Sequence, residues 1–326
     1  MLYKRSNAKT YARENMTGVW GAIPYPFTSD FELDEKGLRS NVRYYVENDL
    51  LDGIFCGHFM SEFWSLDLDE RRRAAEAVVE EAAGRVPVVV QTGHHSARES
   101  VSLTHHAQQI GATYAALGNP YFMVSPTEGI YDYFKWISDR TDIGILISNT
   151  GYTGINLTPE MLDRLADLEN VVAVKNPQPL EHTLKTVRLA GDRLIVADPD
   201  ERKWLKLITE HGFRLYTSSP APYVIQYPGH TPIKDYTALA FKGDIEGAKA
   251  IADTLGAERD LMDKWLHDPW KASKLMPIAY LKVWTEALGM AAGPVRAPLT
   301  QIEERARAEL HDDLRSIGLP LTLQQA

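Results

Sequence analysis

Eight short apolar runs punctuate the chain at intervals of roughly 20 to 35 residues, with longer amphipathic stretches between them. They are GVWGAI (18–23), GIFCG (53–57), VPVVVQT (86–92), YAALG (114–118), IGILIS (143–148), VVAVK (171–175), RLIVAD (193–198) and RLYTSS (214–219). Most are apolar throughout and do not alternate, so strands built from them must be covered on both faces, as in a parallel sheet. The intervening stretches carry helix signals. LDEKGLRSNVRYYVEND (33–49) sets Leu38, Val42, Tyr45 and Val46 at helical spacing, and LDLDERRRAAEAVVEEAAG (66–84) opens acidic and closes on Gly84. TPEMLDRLADLEN (158–170) begins with Thr158 at the N-cap, Pro159 at the first helical position and Glu160 in the first turn. Eight strand–helix units predict an α/β fold, a (β/α)8 TIM barrel, over residues 16–232. A doubly wound open sheet is the alternative, for which eight regular units are many. From 233 to 326 only helical periodicity remains, which predicts a C-terminal helical subdomain. The polar residues 1–15 are expected to form a loose N-terminal extension.

Composition removes several function classes. The formal net charge is −9 and no long basic cluster occurs, which argues against a nucleic-acid partner. Cys56 is the single cysteine, so neither an intrachain disulfide framework nor a Cys-rich zinc site can form. No stretch approaches the roughly 18 consecutive apolar residues of a membrane span. The chain start lacks the apolar segment of a signal peptide, and the expectation is a cytoplasmic protein without a membrane partner.

Barrel enzymes carry their reactive groups at the C-terminal ends of strands. Lys175 ends the sixth run. Burial would lower the pKa of its amine and free it to attack a ketone, forming a Schiff base; the plainer alternative is a lysine leaving a strand to meet water. The loop after the second run, GHFMSEFWSLDLDER (57–71), offers His58, whose imidazole titrates near neutral pH. Glu62 in that loop either serves the site or only orients the loop. His94–His95 and His105–His106 suggest a metal at first sight, but no ligand spacing accompanies them, and capping, packing or solvation is the expected role. SNTGYTG (148–154) brings Ser148, Asn149 and Tyr152 to the barrel mouth. ADPDE (197–201) ends the seventh strand with carboxylates that have no evident basic partner, and reads as polar solvation of the rim.

Taken in order, these pieces resemble the dihydrodipicolinate synthase and N-acetylneuraminate lyase family of class I aldolases, over roughly residues 18–320. GAIPYPFTSDFELD resembles that family's first strand and Thr-Pro-Phe stretch, EFWSLDLDERRR the segment after its Gly-Thr-Thr-Gly-Glu motif, and NPYFMVSPTEGIYDYF its Pro-Tyr-Tyr segment. VVAVKNP is similar to the Ile-Lys site, and AYLKVWTEALGMAAGPVRAPL to the C-terminal helix with its Gly-Pro-Val-Arg stretch. The resemblance implies a (β/α)8 barrel with C-terminal helices, assembly as a homotetramer or dimer, and no metal or organic cofactor. It implies imine formation between Lys175 and an α-keto acid such as pyruvate, with Glu62 matching the family's loop glutamate.

The departures from the family shape the expectation. Its two loop threonines become Phe59 and Met60, the relay aromatic of Pro-Tyr-Tyr becomes Phe122, and the catalytic tyrosine of Tyr-Asn-x-Pro falls on Ile147 or Ser148. Tyr152 stands where synthases keep the arginine that grips their second substrate. The expectation is a divergent Schiff-base lyase, of aldolase or hydratase-aldolase type and not a true dihydrodipicolinate synthase, acting through Lys175. His58 or Tyr152 would supply proton transfer, and Phe59, Met60, Glu62, Phe122, Ser148 and Asn149 would line the substrate. The alternatives are a keto-sugar-acid dehydratase, a relative that binds a keto acid without turnover, and a metal-dependent enzyme using His58, His94 and His95.

Overall fold

All eight apolar runs form strands in the computed structural model, which describes residues 2–121 and 128–322, the side chains of Tyr152 and Ser218 excepted. The strands are β1 (Gly18–Ala22), β2 (Gly53–Cys56), β3 (Val88–Gln91), β4 (Tyr114–Gly118), β5 (Gly144–Ser148), β6 (Val171–Lys175), β7 (Ile195–Ala197) and β8 (Leu215–Ser219). They form one sheet in the order β7-β6-β5-β4-β3-β2-β1-β8. Pairing from β3 to β7 is parallel throughout, with a helix in each connection. The ends of that order meet where Asp198, just past β7, forms a parallel bridge with Tyr216 of β8. The fold is therefore the expected (β/α)8 barrel. Helices follow β8, among them Pro232–Phe241, Ile278–Ala287 and Glu304–Ser316, and no further strand appears among the described residues.

The chain divides into two compact units, one of Met1–Trp20 with Pro87–Ser218 and one of Gly21–Val86 with Ser219–Ala326. In the first unit, Trp20 of β1 and Tyr114 of β4 bring their ring centroids within 6.1 Å. These strands are not sheet neighbours, so the contact crosses the barrel interior and marks the inward face. Register carries that face from Tyr114 to Gly144, from Ala116 to Leu146 and from Gly118 to Ser148. It passes on from Leu146 to Ala173 and from Ser148 to Lys175. Between β5 and β6 the register slips: Ile145 pairs with Val171 but Leu146 with Ala173, leaving Val172 as an extra residue. A one-residue slip exchanges the two faces of a strand. Without this bulge Lys175 would point out of the barrel.

The N-terminal residues are not loose. Helix Ala8–Asn15 buries Ala8 and Ala12 completely, and Tyr3 stacks on Tyr11 at 4.5 Å. The Tyr3 hydroxyl donates to Thr113 O at 2.5 Å and accepts from the Gly144 N–H at 2.9 Å. A stripe of two alanines and two tyrosines in a polar segment holds it down, too thin a signal for composition to reveal.

In the second unit, Asp34 caps helix Glu35–Glu47, which buries Leu38, Val42 and Tyr45 as their spacing predicts. Asp67 and Glu70 form a reciprocal capping box at the start of helix Leu68–Ala82, so the loop after β2 ends at a defined point.

Candidate active site

Lys175 closes β6 on the inward face and is 6% exposed. Its neighbours in register are Ser148 on β5 and Ala197 on β7. The Asn149 N–H donates to Lys175 O at 3.0 Å, and the Asn176 N–H to Ala197 O at 2.7 Å, so the three strand ends are tied together around it. Burial lowers the amine to about 7, against the opposing field of Asp198. A substantial fraction is then neutral near pH 7, as nucleophilic attack on a carbonyl requires.

Asp198 is fully buried one residue past Ala197. Burial raises its carboxyl to about 6, while Lys203 and a hydrogen bond from the Asp200 N–H hold it down. That N–H donates to Oδ1 at 2.9 Å, and Lys203 Nζ lies 3.4 Å from Oδ2 and 3.2 Å from Asp200 Oδ2. This corrects the expectation that ADPDE lacks a basic partner and merely solvates the rim. The partner lies in the first turn of helix Glu201–His211, which Asp200 caps and which brings Lys203 back over the strand end. An aspartate at a strand end with a lysine five residues later is the signal that could have found it.

The loop after β5 separates Ile147 from Ser148 by face and engages the Asn149 side chain. Ile147 pairs with Val174 and so faces away from the interior, whereas Ser148 shares its register and face with Lys175. Ser148 thus stands beside the lysine and offers it a short hydroxyl. Asn149, expected to bind substrate, is taken up by the loop itself. Its Nδ2 donates to Leu157 O at 3.1 Å and Asn176 Oδ1 at 2.9 Å, and its Oδ1 accepts from the Leu157 N–H at 2.7 Å. Asn176 in turn donates to Thr183 Oγ1 at 3.1 Å, and Gln178 Nε2 donates to Asn149 O at 3.3 Å. Phe122 and the Tyr152 side chain, both expected at the site, lie outside the described residues.

The loop after β2 belongs to the second unit. His58 is buried, with its ring 4.6 Å from Phe55 and 4.3 Å from Phe59. Phe59 and Met60 are half-buried, and Phe59 also meets Phe63 and Trp64 at 5.7 and 6.2 Å. Ser61 braces the turn: its Oγ accepts from the Gly57 N–H at 3.1 Å and donates to Ile23 O at 2.6 Å. Glu62, in a left-handed conformation between two short 3-10 turns, is fully buried. Its Oε1 is 2.6 Å from Lys282 Nζ, and its Oε2 accepts from the Arg296 N–H at 2.8 Å. Lys282 also donates to Pro294 O at 2.7 Å and sits 4.0 Å over the Phe27 ring. Arg296 grips Glu70 through two hydrogen bonds of 2.7 and 2.6 Å. Of the two roles open to Glu62, these contacts are those of the orienting one. Lys282 was not among the residues singled out; the signal was a lysine inside an otherwise apolar helical stretch.

One ring in each histidine pair, His94 and His105, serves the backbone. His94 Nδ1 accepts from the Ser96 N–H at 3.0 Å, and its ring packs on His95 at 4.0 Å. His105 Nε2–H donates to Arg140 O at 2.6 Å. Among the described residues, no group of three His, Cys, Asp or Glu side chains is placed to hold a metal ion. No helix there is long and apolar enough to cross a membrane.

Comparison with known proteins places this geometry in context. Residues 15–317 match the dihydrodipicolinate synthetase family. A 4-hydroxy-tetrahydrodipicolinate synthase of Halorhodospira halophila is 32% identical over 289 residues, covering 88% of this chain and 91% of its own length. The dihydrodipicolinate synthase of Aquifex aeolicus superposes with a TM-score of 0.80 at 27% identity, covering 94% of this chain and 100% of its own. The chloride-inhibited enzyme of Acinetobacter baumannii, solved with pyruvate, shares the fold with a TM-score of 0.80 at 23% identity, covering 93% of this chain and 99% of its own.

Proposed function

The chain belongs to the dihydrodipicolinate synthetase family of class I lyases, and from that premise we propose that it condenses pyruvate or another α-keto acid with Lys175 without synthesising dihydrodipicolinate. The observation that carries the proposal is the buried, inward-facing Lys175 with its lowered pKa. Pyruvate stands first among the candidates because a neighbour of the same fold was solved with it.

Departure from the synthase activity rests on side chains. Ser148 beside Lys175 cannot replace a phenol reaching across a pocket, and Phe59 and Met60 replace two relay hydroxyls with apolar groups. His58 is proposed for proton transfer because it directly precedes those two loop positions; Tyr152 is the second candidate. Phe59, Met60 and Phe122 are proposed to contact an acceptor less polar than the synthases' second substrate. Glu62 and Asn149 are proposed as loop-holding groups.

Borohydride reduction in the presence of a keto-acid panel, followed by intact-mass measurement, tests the reading. A mass increase matching a reduced pyruvyl adduct is expected. Its absence with every keto acid sinks the proposal and leaves a non-condensing binder. Release of dihydrodipicolinate precursor on adding the synthase's aldehyde substrate would overturn the departure alone.

A further inference from the structure

We propose that Thr217 donates its hydroxyl hydrogen to the carboxylate of the keto acid held on Lys175, and is a specificity-determining residue for that substrate class. The inference rests on the reading of Lys175 as the condensing lysine.

Two contacts fix the face on which Thr217 lies. The ring of Tyr216 is 5.7 Å from that of Trp204, on the helix Glu201–His211 outside the barrel. Asp198, which bridges to Tyr216, meets Lys203 of the same helix. Tyr216 therefore points outward, and Thr217, the next residue of β8, points inward with Lys175. That bridge sets β8 beside β7, and β7 pairs with β6. It also puts Thr217 one residue nearer the mouth than the Asp198–Tyr216 level, and Ala197 one residue deeper. Two strand spacings, about 10 Å along the sheet, separate β8 from β6. A lysine side chain carrying a three-carbon acid spans that gap.

The residues between and beside them leave room for the acid. On the inward face Lys175 is followed by Ser148 and Gly118 in one direction and by Ala197 in the other. A methyl group at Gly118 would come no nearer than 3.7 Å to the atoms around it, the first being Thr153 Cγ2. Thr217 is fully buried, and its Oγ1 has no hydrogen-bond partner among the described residues. A buried hydroxyl left unmet is destabilising, so such a group calls for an explanation. A keto acid supplies the missing partner. Condensation removes its ketone oxygen as water and leaves its carboxylate in the adduct. A carboxylate at that depth needs hydrogen-bond donors. The Ala197 side chain has none to give, whereas the threonine hydroxyl has one.

The test uses the full chain as wild type, Thr217→Val and Thr217→Ser, with borohydride-reduced adducts mapped to the Lys175 peptide. Pyruvate is compared with acetaldehyde, which offers a methyl and a carbonyl without the carboxylate. Thr217→Val is expected to need about tenfold more pyruvate for half-maximal trapping, the effect of one lost hydrogen bond to a charged group. Its acetaldehyde dependence stays at the wild-type value, and Thr217→Ser keeps both dependences. The urea midpoint of Thr217→Val lies at or above that of wild type, because the substitution removes an unmet polar group. Equal losses with pyruvate and acetaldehyde place the hydroxyl on the amine or the carbonyl carbon and overturn the inference. A lowered urea midpoint, or a valine variant that does not fold, assigns the hydroxyl to the fold and overturns it too. An absent wild-type adduct with every keto acid overturns the reading of Lys175 and this one with it, whereas a pyruvate adduct indifferent to Thr217→Val overturns this one alone.

Discussion

Among the described residues two lysines are buried, one in each compact unit, and their surroundings differ. Lys282 is in contact with its carboxylate, Glu62, at 2.6 Å, and is completed by a carbonyl and an aromatic ring. Burial lowers it to about 8, with Glu62 opposing. At Lys175 burial is opposed by the charge of Asp198, and the amine sits at about 7. Burial alone therefore does not mark a reactive lysine. A carboxylate in contact turns the buried Lys282 into a fastener, whereas Lys175 stands at a strand end between Ser148 and Ala197.

Substitutions can break this comparison, and the largest effect falls on chemistry. Lys175→Ala is expected to lose turnover and adduct together, while Lys282→Met retains the adduct wherever the protein stays folded; trapping by intact mass checks both. His58→Ala comes next, with turnover slowed by about 10²- to 10⁴-fold and adduct formation preserved. Steady-state rates beside trapping yields separate those two effects, and unchanged turnover removes His58 from the mechanism.

Stability should divide the lysines in the opposite sense. Lys282→Met leaves the Glu62 carboxylate buried without its cation, which is expected to cost about 3–5 kcal/mol in urea unfolding. Lys175→Met removes a desolvated amine and is expected to be neutral or stabilising. Because the folded value near 7 lies below the ordinary 10.5, the unfolded chain holds the extra proton between those limits. Wild-type stability should therefore climb with pH relative to Lys175→Met across that window and stay parallel to it below. A loss smaller than that of Lys282→Met is expected from Asn149→Ala, which strands the Leu157 N–H and lowers stability by about 1–3 kcal/mol. An increase in the pyruvate requirement far beyond that loss would return Asn149 to the substrate.

Much of this was legible before any coordinates. Continuous apolar runs of this length read as strands covered on both faces, and eight of them made the barrel and its sixth strand end the expected arrangement. The face on which Lys175 emerges did not. VVAV is small or β-branched at every position, so nothing in it reveals that Val172 is the residue the ladder skips. The Glu62–Lys282 contact was hidden by separation along the chain, and Asp198 by a partner lying in the helix beyond it. The loop bonds of Asn149 were hidden for another reason: an amide that binds a ligand and one that binds a loop are the same residue in the same place. The N-terminal helix was missed because two alanines weigh little in a polar segment, although both are fully buried.

The central claim is that Lys175 is a buried base kept partly neutral at physiological pH. It is tested most directly by the pH dependence of pyruvate trapping, with the reduced adduct located by peptide mapping. The account predicts a modified Lys175 whose trapping rate rises with pH through a midpoint near 7. An adduct on another lysine, or a midpoint close to the 10.5 of a solvated amine, would contradict it.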